Sequence, residues 1–217
     1  MAFSTVLLDI EGTVCPISFV KETLFPYFLQ QVDSLTQSRE PQVQDLLSQF
    51  KVEDVKAHIR DLVARDVKDP ILKQLQGVIW QHGYASGQIT APVYADAINF
   101  IKSTNKPVYI YSSGSVKAQQ LLFQYVRGSD KAIDLRPEIM GYYDINTSGV
   151  KTKSESYRNI ARDIGCDPND ILFISDNVLE LEAAQKAGLK SKLAIRPGNY
   201  PVEDLSAYDT ISDFAQL

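Results

Sequence analysis

A chain of 217 residues with 44% hydrophobic and 23% charged side chains has the composition of a globular protein, and is long enough to bury a sizeable core in one domain or a domain with a substantial insertion. A formal charge of −5 offers no electrostatic footprint for a polyanion, so nucleic acid is not expected as a partner. No apolar run approaches the ~20 residues of a membrane span, and the N-terminal stretch lacks the features of a signal peptide, so a soluble intracellular protein is expected.

The first predicted element is a buried strand, Thr5–Leu8, that ends in Asp9-Ile10-Glu11-Gly12-Thr13. Two carboxylates at i and i+2 on extended backbone point to one side. Their repulsion calls for a cation or a shared proton, and a divalent metal is the economical choice. Gly12 permits a sharp turn and Thr13 adds a hydroxyl. Alone, the same five residues also describe a solvated acidic strand end. Cys15, and Cys166 far away from it, form no CxxC and are expected as small buried hydrophobes in a reducing compartment.

Residues 16–90 read almost wholly as helix: "ISFVKETLFPYFLQQVDSL", "PQVQDLLSQF", "VEDVKAHIRDLVARDV" and "PILKQLQGVIWQHGY", with Pro41 and Pro70 at first-turn positions. Strand one ends at Leu8 and the next begins at Val108, whereas a crossover needs only ~30 residues. A helical cap domain at 16–90 is therefore expected, inserted into a core of residues 1–15 and 91–217, with hinges near 14–18 and 88–93. Phe19, Trp80, His82 and Tyr84 near the hinges either enclose a substrate or form the cap's own core.

The second strand, Val108–Tyr111, ends in Ser112-Ser113-Gly114-Ser115 ahead of the helical "VKAQQLLFQYV". Hydroxyls and free amides at a helix N-terminus suit an anion, although serine capping alone also accounts for them. In "VKTKSESYRNIARDIG", Thr152 and Glu155 have capping-box spacing, which makes Thr152 the N-cap and Lys153 the first helical residue. Lys151 then opposes the helix dipole unless an anion lies beside it or it turns to solvent. A strand at Ile171–Ile174 leads to Ser175 and Asp176, and Asn177 with Glu180 again has capping-box spacing, which makes Glu180 a cap rather than a ligand. Lys192–Ile195 is a weaker fourth strand.

Strands alternating with helices predict an open α/β sheet, in which ligands bind at the carboxyl ends of the strands. That places Asp9, Ser112 and Asp176 on one edge. Acids for a metal, hydroxyls for phosphate oxygens and a lysine for charge are the parts that phosphoryl transfer needs. No GxGxxG or GxxxxGK[ST] is present, and His58 and His82 stand in no HExxH, so nucleotide binding, zinc hydrolysis and a Ser-His-Asp triad have little support.

Asp9-x-Glu11-Gly12-Thr13, Ser112, Lys151 and Asp176 together resemble the four-part signature of the haloacid-dehalogenase superfamily. Glu11 in place of the usual second aspartate, with "DIEGTVCPISFVKETLFPYF", "VYIYSSGSVKAQQLLF", "SESYRNIARDIG" and "IRPGN", is similar to the enolase-phosphatases of methionine salvage. The resemblance implies a Rossmann-like parallel-sheet core with a helical cap inserted after strand one, one Mg²⁺ per chain, and a monomer of the cytoplasm, with the nucleus as a second compartment in eukaryotes. It implies that 5-(methylthio)-2,3-dioxopentyl phosphate is enolised and dephosphorylated to an acireductone. Asp9 would be nucleophile and metal ligand, Glu11 the acid and base with a metal contact through its carbonyl, and Asp176 the third metal ligand. Ser112 and Ser113 would hold substrate oxygens, and Lys151 would neutralise the phosphate. The base for enolisation stays open among Glu11, Lys151 and Lys153. The rival readings are a capped phosphatase that does not enolise, and a non-catalytic protein that binds a phosphorylated ligand.

Overall fold

The computed structural model describes residues 2–67 and 69–217. The elements in chain order are β1 (Thr5–Leu8), α1 (Phe25–Thr36), α2 (Pro41–Ser48), α3 (Val55–Ala64), α4 (Pro70–Ala85), α5 (Ala95–Ser103), β2 (Val108–Tyr111), α6 (Val116–Gln124), β3 (Gly141–Tyr143), α7 (Ser154–Ile164), β4 (Ile171–Ser175), α8 (Val178–Lys186), β5 (Lys190–Ala194) and β6 (Thr210–Ile211). Two compact units result: Met1–Phe19 with Thr90–Leu217, and Val20–Ile89.

In the first unit the strands form one sheet in the order β3-β2-β1-β4-β5-β6, all pairs parallel. Val6, Leu7 and Leu8 of β1 have no exposed surface, as a central parallel strand covered on both faces requires. Leu7, Tyr111, Phe173 and Leu193 cover one face and pack with Tyr157 and Ile160 of α7 and Leu181 and Ala184 of α8. The order reverses at β1, with β2 on one side and β4 on the other. Such a switch point opens a crevice at the carboxyl ends of the strands.

The second unit is helical and has its own core. Phe28, Val32 and Leu35 of α1, Val43, Leu46 and Leu47 of α2, Ile59, Leu62 and Val63 of α3, and Leu72, Leu75 and Ile79 of α4 recur every three or four residues and meet inside. Pro41 and Pro70 stand at the first helical positions. Asp69 caps α4 by accepting from the amides of Ile71 (2.9 Å) and Leu72 (2.8 Å). Trp80 and Tyr84 are buried, His82 is exposed, and Trp80 Nε1 donates to the Leu24 carbonyl at 3.0 Å. No helix among the described residues is long and apolar enough to cross a membrane.

Several local expectations are corrected. The first insert helix does not begin at Ile17: a π-helical turn, Val20–Leu24, precedes α1, whose first turn holds Pro26 and so needs no amide there. The fourth strand begins at Lys190, because pairing with β4 starts at Leu172↔Lys190. Cys15 is buried, but Cys166 is half-exposed, with its sulfur 3.6 Å from Thr5 Oγ1.

Candidate active site

The site begins where β1 runs out. Asp9 keeps its amide in the sheet, donating to the Ile174 carbonyl at 2.9 Å, so its carboxylate leaves the strand end from a rigid base. The Ile10 carbonyl then accepts from the amides of Thr13, Val14 and Cys15 (3.2, 3.0 and 3.0 Å), and Gly12 turns the chain at φ +70°. Glu11 lies half-buried in this turn, its backbone bridging to Cys15.

Gly12 is required twice over. Its φ is left-handed, and a Cβ there would lie 2.3 Å from Asp176 Oδ2 and 2.5 Å from Asp176 Cγ. Gly12→Ala should therefore displace the Asp176 carboxylate and strain the backbone by ~1–3 kcal/mol. Urea unfolding should register the loss.

Lys151 and Glu180 complete the interior of the site. Lys151 is 4% exposed, and its Nζ lies 2.6 Å from Asp9 Oδ1 and 2.6 Å from Glu180 Oε2. The Ser175 hydroxyl sits 2.8 Å from Glu180 Oε2 and 3.3 Å from Asp9 Oδ2, which closes a ring of four side chains. Burial pushes the lysine toward its neutral form, but the two carboxylates outweigh it and hold the ammonium charged. Burial, and next the charge of Asp9, raise Glu180, with Lys151 acting against them. Asp176 is pushed from an ordinary 3.8 up to about 7, by burial first and then by Asp9 and Glu180.

Two expectations about this region fail. Glu180 is not part of a capping box: Asn177 alone caps α8, accepting from the Leu179 amide at 3.0 Å, while Glu180 turns inward. A buried ammonium at 2.6 Å outcompetes an exposed cap. Thr152 is not an N-cap either, since Lys153 holds that position without a side-chain bond and α7 starts at Ser154. The reason lies in the preceding turn. The Tyr157 hydroxyl donates to the Lys151 carbonyl (2.7 Å), and Ser156 Oγ (2.8 Å) and the Lys153 amide (3.0 Å) donate to the Val150 carbonyl. These bonds fix residues 150–153 so that Lys151 points inward, and helical backbone begins only beyond them.

At the end of β2, Ser112 is buried and its amide donates to the Tyr143 carbonyl at 3.1 Å, while Ser113 is exposed. Ser112 Oγ accepts from the Gly114 amide at 3.3 Å, and Ser115 caps α6 by accepting from Ala118. Asp144, unnoticed in the sequence, already gives its carboxylate to the Val116 amide at 3.1 Å. The Val116 and Ala118 amides at this helix end are thus already bonded within the protein.

Among the described residues no three His, Cys, Asp or Glu side chains converge as a metal cluster. The expected set of Asp9, Glu11 and Asp176 counts Glu11 through its backbone carbonyl, so it asks for two carboxylates and not three. The local chemistry nevertheless fits a hard divalent cation: Asp9 and Glu180 share one ammonium, Asp176 is raised by burial and by the charges of both carboxylates, and carboxylate and carbonyl oxygens are the donors such ions take. Because the folded pKa of Asp176 lies above its unfolded value, ionising it costs stability. The metal-free protein should lose stability as pH rises through about 7, and a divalent cation should raise Tm more at pH 8 than at pH 6. Thermal melts with and without EDTA at the two pH values check the sign.

The sequence model of haloacid dehalogenase-like hydrolases matches residues 3–188. The chain belongs to that family. An enolase-phosphatase E1 of Lachancea thermotolerans is 64% identical over 217 residues, covering all of both chains. The enolase-phosphatase E1 of Saccharomyces cerevisiae strain S288c is 59% identical over 224 residues, covering 99% of this chain and 98% of its own. Within the family the chain stands with these enolase-phosphatases. The crystal structure of the UTR4 protein of S. cerevisiae superposes with a TM-score of 0.92 at 57% identity, covering 99% of this chain and 100% of that one. CbbY of Rhodobacter sphaeroides in complex with phosphate shares the fold, with a TM-score of 0.66 at 17% identity, over 100% of this chain and 96% of that one. Membership makes this a hydrolase and implies a divalent metal.

Proposed function

We propose that this haloacid dehalogenase-like hydrolase is an enolase-phosphatase that converts 5-(methylthio)-2,3-dioxopentyl phosphate to an acireductone and phosphate in methionine salvage. The supporting observation is the buried Asp9–Lys151–Glu180 arrangement at the end of β1, in a chain 59–64% identical to proteins named enolase-phosphatase E1. One Mg²⁺ per chain would be held by Asp9, Asp176 and the Glu11 carbonyl, and would supply positive charge beside the phosphoryl group. Residues 16–90 act as the cap, and the protein works as a cytoplasmic monomer.

In the phosphatase half, an Asp9 carboxylate oxygen attacks phosphorus and the bond from phosphorus to the substrate's C1 oxygen breaks. Glu11 gives its proton to the departing enol oxygen. Glu11 then takes a proton from water, whose oxygen attacks the aspartyl phosphate, releasing phosphate and restoring Asp9. Ser112 and Ser113 hold phosphate oxygens. Lys151 keeps a fixed positive charge beside Asp9 throughout. Held charged by two carboxylates, Lys151 is unsuited to abstract the proton for enolisation, which leaves that task to Glu11 or to Lys153, whose side chain is exposed.

Incubation with the 2,3-diketo 1-phosphate tests the reading. Enediol absorbance and inorganic phosphate should rise together in equal amounts, and EDTA should stop both. Phosphate without enediol would replace it with a phosphatase that does not enolise.

A further inference from the structure

Two carboxamides outside the reacting groups are bonded in the same unusual way. Asn199 Nδ2 donates to the Gly12 carbonyl at 2.9 Å and to the Ala194 carbonyl at 3.1 Å. Gln119 Nε2 donates to the Gly114 carbonyl at 2.8 Å and to the Tyr143 carbonyl at 2.8 Å. Each NH₂ therefore joins the end of a strand, β5 or β3, to the glycine of a turn that carries site residues. With both N–H groups on carbonyls, the amide orientation is fixed, since a flipped amide would face oxygen with oxygen.

The other atom of each amide is informative. Asn199 Oδ1 and Gln119 Oε1 are buried without a hydrogen-bond partner. Burying an oxygen unsatisfied is unfavourable, and leucine would avoid that cost at either position, so what the two N–H groups hold must outweigh it. The sheet order shows what is held. β5 is separated from β1 by β4, so the Asn199 bonds span the end of β4, where Asp176 lies. Asn199 Oδ1 and Asp176 Oδ2 lie 3.0 and 2.3 Å from the point a Gly12 Cβ would occupy, so the amide sets the clearance between the Gly12 turn and that carboxylate. On the other side, the Tyr143 carbonyl accepts from Gln119 and also from the Ser112 amide, so Gln119 fixes the serine turn at both ends.

We infer that Asn199 and Gln119 are paired positioning residues, Asn199 setting the carboxylate turn for the divalent cation and Gln119 setting the serine turn for the phosphate oxygens. The inference rests on the functional reading above. Each residue is assigned one ligand and not the other, which a purely structural role would not produce.

The test is a crossed pair of calorimetric titrations on the full-length chain, with MgCl₂ and with inorganic phosphate at saturating Mg²⁺. Asn199→Leu should raise the Mg²⁺ dissociation constant about 10- to 100-fold and leave the phosphate constant within about twofold. Gln119→Leu should raise the phosphate constant about tenfold or more and leave Mg²⁺ within about twofold. If leucine prevents folding, as circular dichroism would reveal, Asn199→Ala and Gln119→Ala carry the same expectation. Variants that lose Tm but keep both affinities, or that weaken both ligands alike, overturn the inference. A wild-type protein that binds neither Mg²⁺ nor phosphate overturns the functional reading, and the inference with it.

Discussion

Asp9→Asn should lower phosphate release by roughly 10⁴-fold or more while leaving the protein folded and no less stable. The amide oxygen of asparagine is a poor nucleophile, so the covalent route closes. The fold survives because Lys151 keeps its second partner, Glu180 Oε2 at 2.6 Å, and Ser175 keeps its shorter contact to the same oxygen. Removing the Asp9 charge also relieves Asp176 and Glu180, which Asp9 helps to push upward. The apparent pKa of Asp176 should therefore fall from about 7 toward the ordinary 3.8, with the Tm at pH 8 unchanged or raised. Single-turnover phosphate release, a carboxylate NMR titration and a thermal melt check the three parts. A variant that turns over normally would remove Asp9 from the nucleophile's role, and one that loses its fold would show that Lys151 depends on Asp9 more than on Glu180.

The strand ends were legible in the sequence because central parallel strands are covered on both faces, which forces unbroken apolar runs that stop abruptly at Asp9, at Ser112 and at Ser175, one residue before Asp176. The insertion was legible from the distance between Leu8 and Val108 and from the first-turn prolines, Pro41 and Pro70. What escaped was set by contacts distant in sequence. β3 has three residues and β6 two, too few for periodicity to register, and both exist because a neighbouring strand offers its free edge. Glu180 carries the spacing of a cap, and only the arrival of Lys151 from another segment decides that it turns inward. Asp144 stands in no motif, and Gln119 and Asn199 lie in stretches that carry the family resemblance without a role of their own, since the importance of all three lies in which carbonyls and amides they meet. The sequence thus carried the groups proposed to react, but not the groups that hold them.

Lys151→Met should destabilise the protein by about 3–5 kcal/mol and abolish turnover, because it leaves the carboxylates of Asp9 and Glu180 buried without a cation. The loss should depend on pH with a definite sign. Glu180 and Asp176 already have folded pKa values above their ordinary ones, and without the ammonium Glu180 rises further. For such groups the folded state binds protons more tightly than the unfolded state, so stability is retained at low pH and lost as pH rises through the folded values. Urea titrations in EDTA should therefore show a larger loss at pH 8 than at pH 6. Adding Glu180→Gln to Lys151→Met should recover part of the stability at pH 8 by removing one stranded charge, without recovering activity, since Asp9 still lacks its fixed positive neighbour. An equal loss at both pH values would mean that Lys151 contributes mainly packing against the rings of Tyr111 and Phe173, which lie 5.7 and 5.9 Å from its Nζ. The recovery in the double variant separates the two cases, because a packing defect at residue 151 gives Glu180→Gln nothing to repair.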